Sequence, residues 1–163
     1  MNANRQPEPT VGSATDPAAM IAAARALRQA AAAGSPPALL RGKNFGLLCL
    51  ADDSADEALF VSAATELGAK VTRVPPDVFD SGAQEQQIAR LLGRLYDGIE
   101  CEGVPDERVR QLRADAGVPV YDGIGCAAHP IAALASLLGD DADGVTNRRH
   151  LVQALLLASF AEN

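Results

Sequence analysis

Four short apolar runs alternate with stretches of helical periodicity along this chain, and that alternation decides its fold class. The runs occupy residues 45–50, 71–74, 98–101 and 118–121, and the helical stretches between them occupy 55–67, 84–95 and 106–116. Each run is four to six residues long and lacks the polar alternation of a half-solvated strand, so each reads as a strand buried on both faces. Parallel strands need crossover connections, and the intervening helices supply them. The expected fold is therefore α/β: a three-layer, mostly parallel four-stranded sheet flanked by helices. A helix precedes the sheet. Ala18, Met20, Ile21, Ala24, Leu27 and Ala31 recur at helical spacing, Asp16-Pro17 provides an N-cap and an N1 proline, and Gly34-Ser35-Pro36-Pro37 ends it. Two more helices are expected at 130–138 and 148–160, separated by the acidic loop 139–144. Residues 1–15 carry no periodicity and are expected to form a disordered tail, leaving 16–163 as a single domain.

Charge and cysteine content narrow the function. Fourteen basic residues face 21 acidic ones, a net charge of −7, and only Lys43 and Lys70 are lysines. A non-specific nucleic-acid binder needs a basic stripe to replace phosphate counterions, so no nucleic-acid partner is expected. No run reaches the roughly 18 apolar residues of a spanning helix, so no membrane insertion is expected. The polar, Pro-rich start lacks the apolar segment of a signal peptide. Cys49, Cys101 and Cys126 are odd in number and widely spaced. They read as free thiols in a reducing, cytoplasmic setting rather than a disulfide framework or a zinc site. No cofactor and no metal site are expected.

In open parallel sheets, ligands gather where strands end and helices begin. Here those places follow Leu50, Val74, Cys101 and Tyr121, and the residues around them are distinctive. They include Leu39-Leu40-Arg41-Gly42-Lys43-Asn44 and Ala63-Ala64-Thr65-Glu66-Leu67-Gly68-Ala69-Lys70-Val71-Thr72. Further on come Gly93-Arg94-Leu95-Tyr96-Asp97-Gly98-Ile99, Ala116-Gly117-Val118-Pro119-Val120-Tyr121-Asp122-Gly123 and His129-Pro130. In this order, from about residue 16 to 138, the chain resembles the carbamoyl-phosphate-binding, N-terminal domain of ornithine and aspartate carbamoyltransferases, with degenerate site motifs. Residues 146–161, opening Thr146-Asn147-Arg148, resemble the helix that returns to that domain from the family's second, amino-acid-binding domain. The resemblance implies that the second domain is replaced by the short loop 139–145.

The resemblance also implies a phosphate site on the helix after the first strand, where the family carries Ser-Thr-Arg-Thr-Arg. This chain has Asp53, Ser54, Ala55, Asp56 and Glu57 there. Glu102 stands where the family has a further arginine, and Ile131 and Ala132 replace the polar pair of its His-Pro-Thr-Gln motif. His129 and Arg148 are the remnant ligand-pocket residues that still match. A charge-assisted hydrogen bond contributes about 1.5–3 kcal/mol, so three missing arginines remove roughly 4–9 kcal/mol. At ~1.4 kcal/mol per tenfold, affinity for carbamoyl phosphate falls about a thousandfold or more.

Ser54-x-x-Glu57 also reads as a capping box, which would satisfy the N–H groups that could otherwise hold phosphate. A metal site built from Asp52, Asp53, Asp56 and Glu57 is the weaker alternative. No catalytic residue is expected. The functional expectation is a non-catalytic, single-domain relative working as a homotrimer or as a structural or regulatory subunit of a larger assembly. Its contact face would include Pro75, Pro76, Val78 and Phe79, unless Val78 and Phe79 fold back on their own sheet. The alternative is a small-ligand-binding protein or enzyme using His129 and Arg148 in a remodelled, acid-walled pocket.

Overall fold

The computed structural model describes residues 16–50, 54–80, 83–139 and 142–161. The expected tail 1–15 lies outside the described residues. Helix α1 spans Pro17–Ala32, with the Asp16 carboxylate accepting from the Ala18 N–H at 3.2 Å. Strands β1 (Asn44–Cys49), β2 (Lys70–Val74), β3 (Gly98–Glu102) and β4 (Val120–Asp122) alternate with α2 (Ala55–Glu66), α3 (Glu85–Leu95) and α4 (Asp106–Asp115). Helix α5 (Gly144–Ala161) closes the described chain.

All three strand pairings are parallel and the order is β2-β1-β3-β4. Because right-handed crossovers run one way from β1 to β2 and the other way from β2 onward, α2 lies on one face and α3 and α4 on the other. The strand side chains show the same division. Phe45, Leu47, Cys49 and Tyr121 pack with α1, α2 and α5, whereas Leu48, Ile99, Cys101 and Val120 pack with α3 and α4. The three-layer α/β sandwich read from the alternation is the observed fold.

Three elements differ from the sequence reading. Residues Pro130–Leu138 wind as a 3₁₀ helix rather than an α-helix. Side chains from outside claim the carbonyls of its second half: Asn147 donates to Ala135 O, Arg25 to Leu137 O and Arg28 to Leu138 O. Apolar spacing alone does not register that pull. Helix α5 begins at Gly144, four residues earlier than expected, because the Asp143 carboxylate caps it by accepting from the Thr146 N–H at 2.7 Å. In the segment after β2, a short 3₁₀ helix (Pro76–Asp80) appears where only a loop was expected.

Candidate functional site

The sheet order reverses between β1 and β3, so their carboxyl ends form the crevice in which a doubly wound fold places a ligand. Helix α2 starts there. Ser54 is its N-cap and accepts from the Glu57 N–H at 3.0 Å, as a local cap should. Its hydroxyl then donates to the carboxylate of Glu102 at the end of β3. A negative group thus already sits at the positive end of α2. The reciprocal half of the capping box is not formed. Instead of reaching back to residue 54, the buried Glu57 carboxylate turns to the Arg73 guanidinium on β2, which bonds it directly.

Asp56, in the same turn, lies 3.5 Å from the guanidinium of Arg148. Arg148 reaches in from α5 and also donates to Gly125 O at 2.5 Å. The arginine therefore ties α5, the loop after β4 and the first turn of α2 together. That junction is tight: a Cβ on Gly125 would stand 2.3 Å from Asp56 O. Only a glycine lets the two backbones approach so closely.

His129 caps the 3₁₀ helix, its Nδ1 accepting from the Ile131 N–H at 3.2 Å. Burial pulls its ring below the ordinary histidine range, against the raising influence of Asp122, and Arg113 adds to the lowering. Both remnant pocket residues therefore have structural partners inside the chain. Ala55 opens α2 and is exposed, and Asp53 lies outside the described residues. Among the described residues, no group of three or more His, Cys, Asp or Glu side chains is arranged to hold a metal ion.

A small cleft of about 190 Å³ opens beside this junction, between the ends of β1 and β2. Leu47, Cys49, Leu50, Arg73, Val74, Pro75 and Pro76 line it. Of the four expected contact residues, Pro75 and Pro76 are exposed. Val78 and Phe79 fold back onto the α3–α4 core, and the Arg108 guanidinium lies 4.3 Å from the centre of the Phe79 ring. The apolar part of that segment serves its own core first.

Sequence reasoning missed three features here. Arg73 falls in the run 71–74, read as a strand buried on both faces, yet β2 lies at the sheet edge with Lys70, Thr72 and Arg73 exposed, and nothing local links Arg73 to Glu57. Glu100 was read as part of an apolar run, yet it is a carboxylate 1% exposed in the middle of the sheet. A charged residue inside an otherwise apolar strand was the available signal. The buried set Asn147, His150 and Gln153 on α5 was likewise hidden in a helical pattern.

No family model matches the chain. Over 116 residues it is 38% identical to an ornithine carbamoyltransferase of Haemophilus influenzae, a match covering 70% of this chain and 35% of the relative. Over 144 residues it is 35% identical to an ornithine carbamoyltransferase of Cutibacterium acnes, covering 87% of this chain and 41% of the relative. The fold is similar to that of ornithine carbamoyltransferase from Pyrococcus furiosus (TM-score 0.64, 22% identity, 75% of this chain and 40% of that one). It is also similar to aspartate transcarbamoylase from Trypanosoma cruzi in complex with carbamoyl phosphate (TM-score 0.62, 23% identity, 75% and 41%). The chain is thus similar in sequence to ornithine carbamoyltransferases and in fold to ornithine and aspartate carbamoyltransferases, and it spans 35–41% of the length of the curated relatives, which is consistent with a single domain of the family's N-terminal type.

Proposed function

We propose that this carbamoyltransferase-like domain is a pseudoenzyme that works by assembly, as a homotrimer or as a structural or regulatory subunit of a larger complex. The observation that carries this reading is the occupancy of the α2 N-terminus by the chain's own carboxylates. Ser54 is engaged by Glu102 and by the Glu57 N–H, and Glu57 is engaged by Arg73. An incoming phosphate dianion would have to displace Glu102 and sit beside Glu57 and Asp56, where like charge opposes it. The short connection 139–143 between the 3₁₀ helix and α5 supports the same reading, since it leaves no second domain at that point of the chain.

The expected outcome is no citrulline or carbamoyl-aspartate above background when the protein is mixed with carbamoyl phosphate and ornithine or aspartate. Turnover that disappears in a His129→Ala variant would overturn the pseudoenzyme reading. The competing idea, a ligand pocket built on His129 and Arg148, draws less support from the geometry. Both side chains hold backbone groups of the chain itself.

A further inference from the structure

Among the described residues, Glu100 is the one carboxyl group placed inside the sheet rather than at its end. Its register neighbours are Leu47 on β1 and Tyr121 on β4, so its strand flanks are covered. A carboxyl group there loses its hydration and needs partners from the protein. It has backbone donors from one loop only. Ile124 N–H donates to its two oxygens at 3.2 and 3.4 Å, and the Gly123 N–H is shared between it and Cys101 O. Among the described residues, its hydrogen-bond partners include no cationic side chain. The loop it holds, residues 123–126, is the same one that Arg148 grips at Gly125 and that packs on the first turn of α2.

We propose that Glu100 is a pH-responsive latch beneath the β4–3₁₀ loop: as the neutral acid it keeps residues 123–126 seated on α2, and its ionisation loosens them. The charges around it give the direction. Glu102 on β3 and Asp122 on β4 both disfavour a negative charge at Glu100, as burial does more strongly. These together outweigh the two N–H donors and hold the carboxyl well above its ordinary range. The other groups nearby are the buried Cys101 and Tyr121 on the same two strands, both pushed up by burial with Glu100 adding to the rise. Arg113 on α4 donates to Val120 O, and His129 opens the following helix. The cation that touches the loop, Arg148, is taken by Gly125 O and Asp56 rather than by Glu100. Ionisation therefore creates a buried charge met by backbone N–H groups but by no cation among the described residues, and outward movement of the loop that covers it lets water supply the rest.

The test is an NMR titration of the full chain from pH 5 to pH 9. The Glu100 side-chain carboxyl carbon and the amides of Ile124 and Gly125 should move together with one midpoint above the carboxylate range. Amide exchange at residues 124–126 should accelerate through that midpoint, beyond the rise that base catalysis alone produces. Glu100→Gln should keep the loop protected throughout and abolish the Ile124 and Gly125 inflection. A Glu100 carboxyl already ionised at pH 5, or an inflection that persists in Glu100→Gln, would overturn the latch. The carboxyl-carbon readout needs no substitution, so the proposal remains testable if the variant fails to fold.

Discussion

At the residue scale, the buried titratable groups push stability in opposite directions with pH. His150 is 1% exposed on α5, with Nδ1 3.0 Å from Gln153 Oε1. Burial lowers its pKa from 6.5, and this outweighs the Gln153 bond that favours the charged ring. An unfolded chain takes up that proton more readily. The stability His150 contributes is therefore present above its unfolded value of 6.5 and lost as pH falls through the lower folded one. His129 acts with the same sign. Glu100 has the opposite sign: its contribution is present below the unfolded value of 4.5 and lost as pH rises through the raised folded value. Thermal melts should therefore show a melting temperature that peaks between the two limbs. His150→Gln should flatten the acid limb, and Glu100→Gln the alkaline one. An acid limb unchanged in His150→Gln would assign it to other groups.

At the element scale, one glycine sets how closely two helices approach. Gly93 on α3 lies against the end of α4, and a Cβ there would stand 1.7 Å from Ala116 O. Because the obstructing atom belongs to the backbone, α3 and α4 would have to separate rather than a side chain rotate. Gly93→Ala should destabilise the fold by about 2 kcal/mol or more despite alanine's better helix propensity. Denaturant unfolding measures this, and a neutral or stabilising effect would mean that α3 and α4 can slide apart freely. Helix α5 is held differently, through polar groups. Asn147 donates to Gly139 O at 3.1 Å and accepts from Arg28 at 3.1 Å, while Gln153 reaches Ala63 O and Glu66 on α2. These contacts fix α5 against α1 and α2 at one rotation, which apolar packing alone specifies less sharply.

At the scale of the whole molecule, assembly is the property that the proposed function requires. The exposed Pro75 and Pro76 project beside the cleft at the carboxyl edge of the sheet, with Leu50 exposed next to them. Sedimentation should report a trimer. Pro75→Glu should dissociate it with the helical signal intact, since that residue is outside both cores. Phe79→Asp is a poorer probe, because Phe79 also supports the α3–α4 core and its loss would unfold as well as dissociate. A wild-type chain that remains monomeric at high micromolar concentration would remove the assembly reading. Among the described residues no helix is long and apolar enough to cross a membrane.

The sequence by itself determined the order of strands and helices, the parallel three-layer class and the Ser54 cap. All three are written in contacts or periodicities within a few residues. The family resemblance also sets Ala55, Glu57 and Glu102 where that family carries arginines, with Asp56 between the first two. What only the tertiary structure decided was where those carboxylates turn. Glu102 meets Ser54 across 48 residues, Glu57 leaves its own helix end for Arg73, and Arg148 bridges to Gly125 rather than facing an open pocket. The 3₁₀ winding of Pro130–Leu138, the inward fold of Val78 and Phe79, and the seat of Glu100 under the β4 loop belong to the same class. Side-chain polarity and helical spacing report how each segment meets water. The partner of a charge is set by which strand ends the crossovers bring together, and that information is spread over the whole chain.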